Sequence, residues 1–438
     1  MNKIIIKNIH VLDPERKLAY TADLSVEDGK LGCIKKVTPS DPRETEAASD
    51  PKELAAGERI IDGTGLCLAP GLVDVHVHFR DPGFIYKEDI HTGAMAAAKG
   101  GFTSVVMMGN TRPPLSDPAI LKELLARAAR EKIRIYAVGT VTKEMQGLEA
   151  ADYRALKEAG AAGFSDDGKP VTDEKLLRRA FSEIAALKLP VSLHEEDPAY
   201  IRQNGVNAGK AAAALGLEGS DREAEISMVR RDIALAKETG VTLDIQHIST
   251  KEAVALVRKG KEEGVRVIAE ATPHHFSLTE EAVGRFGTLA KMNPPLREEA
   301  DRLSIIEGLQ DGTIDMIATD HAPHANEEKA LPFPEAPSGI IGLETALALG
   351  ITELVEKEHL SLLKLMELMS SAPARAYGLP AGTLEEGKPA DLLIFDPKAE
   401  WTVEKPFASK AENSPFIGRR LTGKVCYTIC RGEIVYEA

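Results

Sequence analysis

Two textures of hydrophobic spacing divide this chain. Up to about residue 70 the apolar positions come in short alternating runs, which predict strands at 4–9, 22–26 and 31–37. From residue 71 short apolar segments alternate with longer stretches whose apolar residues recur at helical spacing. The segments predict eight strands, at 72–77, 104–108, 134–138, 162–165, 191–193, 242–246, 265–270 and 314–319. Amphipathic stretches such as 118–132, 173–188, 222–239 and 251–263 predict helices between them. After residue 378 strands return, at 390–395 and 424–435.

Strand–helix alternation argues for a parallel sheet, and eight units argue for a (β/α)8 barrel. A doubly wound sheet would carry a Gly-rich phosphate turn after an early strand, and the chain has no GxGxxG and no P-loop. The expected fold class is therefore α/β: a TIM-like barrel over 71–377, with a small β domain formed from both ends, 1–70 and 378–438. The Gly378-Leu379-Pro380 turn marks the second boundary. The polar stretch 38–58, rich in Pro, Glu, Asp and Ala, reads as a surface loop without chemistry.

Charge and composition narrow the function. The 438 residues carry 54 basic and 68 acidic side chains, a net charge of −14. That argues against a general nucleic-acid binder and against attraction to anionic lipid. No apolar run approaches the roughly 18 residues of a membrane span. The start of the chain has no apolar signal-peptide core, so the expected location is cytoplasmic. Cys33, Cys67, Cys426 and Cys430 are too few and too scattered for a disulfide framework. Cys426 and Cys430, four apart in one strand, read as buried small apolar residues on a shared face.

The strongest local signal is His76-Val77-His78 at the end of the first barrel strand. Residues i and i+2 of a strand point the same way, so the two imidazoles can chelate one ion. A pair of structural histidines is the bland alternative. It weakens when the other strand ends are read: Asp166-Asp167 after strand four, His194 after strand five, His247 after strand six, and Asp320, His321 and His324 after strand eight. Metal-capable side chains follow five of the eight strands, always on the face where barrel active sites form. Nitrogen and oxygen donors without cysteine suit zinc, with manganese, cobalt or iron as alternatives. Six ligands exceed the needs of one catalytic zinc, so two ions sharing a carboxylate fit better. Spacing does not decide which of Asp166 and Asp167 points inward.

The segments DVHVHFRDPGF (74–84), GGFTSVVMMGNTRPP (100–114), GFSDDGKPV (163–171), LHEED (193–197), HIST (247–250), TPHHF (272–276), KMNPPLR (291–297), ATDHAPH (318–324), PSGIIGLET (337–345) and SKAENSPFIG (409–418) run along most of the chain. In that order they resemble the bacterial type I dihydroorotases of the amidohydrolase superfamily. The resemblance implies that His76, His78 and Asp320 hold one zinc, that His194 and His247 hold the other, and that Asp167 and a hydroxide bridge them. Lys169 is the only lysine near the bridging slot and is expected at the surface. Gly109 stands where the family usually has Pro.

The implied reaction is the reversible cyclisation of N-carbamoyl-L-aspartate to L-dihydroorotate in pyrimidine (UMP) biosynthesis. Asp320 would be ligand and general acid/base at once. Arg80 would clamp the carboxylate that does not react, through two parallel hydrogen bonds. Asn110, Asn293 and His324 would complete substrate recognition. Of His274 and His275 one is expected to support the site or pack, and His10, His91 and His359 receive no role. The expected partner is a small molecule, with no nucleic acid and no membrane. A homodimer and a complex with aspartate transcarbamoylase are compatible with the resemblance, although no motif marks an interface. The competing readings are another cyclic amidase (hydantoinase, dihydropyrimidinase or allantoinase), a non-catalytic barrel that scaffolds aspartate transcarbamoylase, and a binding module without turnover.

Overall fold

A computed structural model describes residues 3–37 and 58–438. The 38–58 loop expectation falls almost entirely outside the described residues.

Five strands precede the barrel: β1 (Lys3–Asp13), β2 (Leu18–Glu27), β3 (Lys30–Lys36), β4 (Glu58–Asp62) and β5 (Cys67–Pro70). Seven barrel strands follow: β6 (Leu72–Val77), β7 (Phe102–Met107), β8 (Arg134–Ala137), β9 (Pro190–Leu193), β10 (Thr242–Ile245), β11 (Val267–Ala271) and β12 (Met316–Ile317). Last come β13 (Leu392–Thr402), β14 (Arg420–Cys430) and β15 (Glu433–Glu437).

The barrel strands pair in parallel in two runs, β6-β7-β8 and β9-β10-β11-β12. The predicted fourth strand joins them through single bridges, Gly139 to Phe164 and Phe164 to Val191. It stays short because Asp166 is drawn sideways: the backbone N–H groups of Val141 and Thr142 both donate to its carboxylate. The ring closes where Val77 bridges His321 and the His78 N–H donates to the His321 carbonyl at 2.9 Å. Buried Asp74 ties the same seam, accepting from the Thr319 hydroxyl at 2.5 Å.

Helices between the strands match the amphipathic stretches closely, at Pro118–Ala128, Glu174–Ala185, Glu223–Thr239 and Lys251–Glu262. Asp117, Asp173 and Thr250 accept N-terminal backbone N–H groups of the first, second and fourth. Their buried residues, such as Leu121 and Leu124, or Leu177, Phe181 and Ile184, lie at helical spacing and join the main core.

The remaining sheet takes strands from both chain ends, in the order β15-β14-β13-β5-β1-β2-β3, with β4 beside β1. Its apolar cluster joins Ile4, Ile6, Ile9 and Val11 to Leu392, Ile394 and Ile429. Two details differ from the alternation read in the sequence. The 424–435 run is a hairpin, because Arg431 and Gly432 both take positive φ and turn the chain. Tyr427 pairs with Ile394 but Val425 with Phe395, so Cys426 falls in a bulge. The bulge breaks the shared face expected of the two cysteines: Cys426 packs toward the sheet cluster, while the Cys430 thiol meets the Thr103 carbonyl at 3.6 Å.

Candidate metal centre and substrate cleft

The six ligands expected from the sequence converge at the C-terminal end of the barrel. His76 and His78 stand on or just past β6, and their ring centroids lie 5.3 Å apart. His194 follows β9 directly, and His247 is two residues beyond β10. Asp167 follows the short fourth strand, and Asp320 follows β12. All six are buried. His247 (φ 33°), Asp320 (φ 47°) and Arg80 (φ 58°) take left-handed backbone conformations that side chains with a Cβ rarely adopt. Such strain, of order 1–3 kcal/mol each, persists where the surrounding structure imposes it, and it gathers at functional sites.

Asp166 and Asp167 separate cleanly. Asp166 accepts from the Val141 and Thr142 N–H groups and the Thr142 hydroxyl, facing away from the histidines. The Asp167 carboxylate meets His78 Nε2 at 3.3 Å, His194 Nδ1 at 3.6 Å, His76 Nε2 at 3.7 Å and His247 Nε2 at 3.8 Å. Asp320 Oδ1 lies 3.0 Å from His78 Nε2 and 3.5 Å from His76 Nε2.

These spacings suit a shared ion. Two donors each about 2.0–2.1 Å from a tetrahedral zinc stand roughly 3.3 Å apart. His76, His78 and Asp320 form one group of donor atoms, and His76, Asp167 and His247 a second. His194 adjoins the second, its Nδ1 3.0 Å from His247 Nε2. Two ring lone pairs that close repel unless a proton or a cation lies between them. His76 Nε2, which faces the centre, is buried and has no hydrogen-bond partner among the described residues. The residues present therefore fit a pair of cations.

The far ring nitrogens explain how three of the four imidazoles are aimed. His76 Nδ1 bonds Glu270 Oε2 at 3.0 Å, and His78 Nδ1 bonds Asn110 Oδ1 at 3.0 Å. His194 does the reverse: its Nε2 bonds Glu196 Oε2 at 3.0 Å, leaving Nδ1 for the centre. An outer carboxylate of this kind fixes the tautomer and raises ligand basicity.

The electrostatics call for positive charge. Burial disfavours ionised Asp167, yet the converging His194, His247 and His76 hold its carboxyl well below the usual range. Burial likewise opposes charge on Asp320, and His78 and His76 hold it down. Against the same burial, Glu270 and Asp167 raise His76 well above an ordinary histidine. Asp167 and Glu196 raise His194 to about 10. His78 moves the other way, lowered by burial and by the Arg80 cation.

A cleft of about 180 Å³ opens above these groups, and all four expected substrate contacts, Arg80, Asn110, Asn293 and His324, line it. Arg80 makes no ion pair among the described residues; its Nε donates to the Pro323 carbonyl at 3.3 Å. Asn293 Oδ1 is buried without a partner among the described residues. Asn110 is more engaged than expected, since its amide also donates to Asp167 Oδ2 at 3.0 Å. His324 Nε2 donates to the Ser338 carbonyl at 2.8 Å, and Lys87 Nζ lies 3.3 Å from its Nδ1. Burial, then Arg80 and Lys87, lower its pKa and keep the ring neutral.

The other histidines sort themselves. His321 turns from the cleft to buried Glu88 and accepts from the Gly342 N–H. His275 is packed, bonding the Thr272 hydroxyl and the Pro294 carbonyl. His274 is buried with Nε2 unpartnered, and burial lowers it to about 4. Lys169 is exposed. Sequence reasoning passed over Glu196, Glu270 and Asn413. Glu196 sat inside the quoted LHEED segment, two residues after a ligand, which was a usable signal. Asn413 lay inside SKAENSPFIG, but no neighbouring ligand pointed to it: it reaches 89 residues back to accept from the His324 N–H.

The amidohydrolase family model matches residues 67–435. A dihydroorotase of Clostridioides difficile is 52% identical over 99% of this chain and 100% of its own length. One of Clostridium acetobutylicum is 47% identical over 99% of both chains. Among solved structures, the L-hydantoinase of Arthrobacter aurescens superposes with a TM-score of 0.85 at 30% identity, covering 100% of this chain and 96% of that one. The dihydropyrimidinase of Brevibacillus agri shares the fold, with a TM-score of 0.83 at 23% identity, covering 99% and 95%. With the ligand set, the barrel and these likenesses together, the chain belongs to the amidohydrolase family, in its dihydroorotase branch.

Proposed function

We propose that the chain interconverts N-carbamoyl-L-aspartate and L-dihydroorotate in pyrimidine biosynthesis, at a centre of two zinc ions. The observation that carries this reading is Arg80: a guanidinium without a carboxylate partner among the described residues lines the cleft beside the expected metal ligands His78, Asp167, His194, His247 and Asp320. Hydantoin and dihydrouracil offer no carboxylate to such a group, whereas dihydroorotate does.

In this reading His76, His78 and Asp320 would hold one ion and His194 and His247 the other, with Asp167 available to both. When bound, the ions supply Lewis-acid polarisation of the carbonyl under attack. The residues do the rest. Arg80 fixes the unreacting carboxylate, with Asn110, Asn293 and His324 around it. Both histidine contacts of Asp320 use Oδ1, so Oδ2 is free for a proton. In ring closure the ureido nitrogen attacks the carboxylate carbon and Asp320 takes its proton; the carboxylate C–O bond then breaks and the oxygen leaves as water, carrying that proton and one from solvent, while in hydrolysis Asp320 takes a proton from the attacking water and passes it to the leaving nitrogen. Closure consumes one proton, so lower pH favours the ring, by about tenfold per unit above the carboxyl range.

The test is loss of L-dihydroorotate ultraviolet absorbance with purified protein, with and without zinc, beside hydantoin and dihydrouracil. Loss with dihydroorotate alone, abolished by a chelator, is expected. Loss with hydantoin instead would favour the second reading, a cyclic-amide hydrolase like the Arthrobacter structural neighbour. We extend the proposal to a cytoplasmic homodimer, with a complex with aspartate transcarbamoylase as the other assembly; sedimentation of the chain alone and with that enzyme separates them. Among the described residues no helix is long and apolar enough to cross a membrane.

A further inference from the structure

Beside the cleft two lysines are buried without an ion pair among the described residues. Lys291 opens the KMNPPLR segment and is 2% exposed; Lys329 is 6% exposed. Burying an ammonium group is costly unless hydrogen bonds replace its water. Here they do, and every acceptor is a backbone carbonyl of one short segment. Lys291 Nζ donates to Phe333 (2.7 Å), Pro334 (3.3 Å) and Ala336 (2.7 Å). Lys329 Nζ donates to Pro337 (2.8 Å) and Gly339 (3.1 Å).

That segment is a wall of the cleft, lined at its end by Ser338 and Gly339. It is held at further points. The Gly339 N–H donates to the Lys291 carbonyl at 2.9 Å, and the Ser338 hydroxyl bonds Asn204 Oδ1 at 2.8 Å. The Ser338 carbonyl accepts from His324 Nε2 at 2.8 Å, so the wall also sets which nitrogen of that ring carries the proton. Gly205, at φ +79°, packs so close that a Cβ there would stand 2.5 Å from Lys291 Cγ.

We propose that Lys291 and Lys329 are positioning residues: their ammonium groups gather the carbonyls of residues 333–339 into a fixed strap that shapes the substrate cleft and aims His324. They do not bind substrate themselves. An ammonium has three donors, and all three of Lys291 are engaged by the strap. The inference rests on the cleft being the substrate site. Without the cations five carbonyls lose a donor; among the described residues Gly339 alone retains another, from Asn413 Nδ2 at 3.0 Å.

The experiment compares zinc-loaded wild type with Lys291→Met and Lys329→Met, which keep much of the apolar stem and remove the charge. The expected result for each is a KM for L-dihydroorotate raised about tenfold, with kcat within about threefold and zinc content unchanged. An unchanged KM, or a fall in kcat and zinc content with KM constant, overturns the proposal. Wild type without turnover of dihydroorotate would instead defeat the functional reading. If neither variant folds, acetic anhydride labelling of native wild type followed by peptide mapping decides. Lys291 and Lys329 should stay unmodified while exposed Lys169 reacts; labelling at the Lys169 rate overturns the proposal.

Discussion

Glu196 Oε2 stands 3.0 Å from His194 Nε2, only two residues away in the chain, and so turns the opposite nitrogen of that ring toward Asp167 and His247. The short loop after β9 thus carries a proposed ligand and the group that aims it. Glu196→Gln keeps the shape and weakens the acceptor. Zinc affinity should fall about 10–100-fold, read by competition with a chromophoric chelator. Unchanged affinity would mean that Glu196 does not orient the ring.

Asp320→Asn retains a ligating oxygen and removes the base. With zinc content held near wild type, kcat should drop by about 10²–10⁴. Turnover close to wild type in the zinc-loaded variant would place the acid/base elsewhere.

Arg80→Ala should raise KM for L-dihydroorotate by about tenfold or more, since a charge-assisted contact is lost. Lys169→Ala, at an exposed position, should leave KM alone. Equal effects in steady-state kinetics would remove Arg80 from the carboxylate clamp.

Asp166 and Asp167 should behave as opposites. Asp166→Ala strands the Val141 and Thr142 N–H groups and should cost about 1–3 kcal/mol of unfolding free energy with zinc binding retained. Asp167→Ala should lose zinc instead. Parallel denaturation and metal analysis check both; zinc loss in the Asp166 variant would overturn the assignment.

The metal-free protein should lose stability as pH rises. His194 is raised to about 10 in the fold by its carboxylate neighbours, against the burial that opposes its charge. A raised histidine contributes stability that is complete below about 6.5 and gone once pH passes its folded value. Asp167 and Asp320, lowered in the fold, contribute above the ordinary carboxylate range and lose that contribution as pH falls through their folded values. Chelator-stripped protein should therefore unfold more easily at about pH 9 than at about pH 5.5. Zinc stabilisation should grow over the same interval, because ligating histidines must be neutral. A flat urea-denaturation profile across that interval would show that His194 is not so held.

The barrel was legible because its signals are local. Strand and helix periods, and the direction of each βα unit, follow from a few consecutive residues, so His76, His78, His194, His247 and Asp320 fell at strand ends before any contact was known. The short strands β4 and β5 escaped notice, since four or five residues carry too little pattern and owe their pairing to β1, more than 50 residues earlier. The Cys426 bulge and the 430–433 hairpin escaped because a bulge is defined only against a partner strand.

By itself the sequence determined the α/β alternation, the ligand types and the end of the barrel on which they gather, since each depends on backbone preference and side-chain chemistry alone. It left open which of two adjacent aspartates faces inward; the resemblance chose Asp167, and the physical reason appeared only in the folded chain, where Val141 and Thr142 claim Asp166. The same holds for Glu270 behind His76, for Asn413 behind His324 and for the two lysines under the strap. Their partners lie about 10 to 200 residues away, and hydrogen bonds over such separations exist only once the core has brought the strands together.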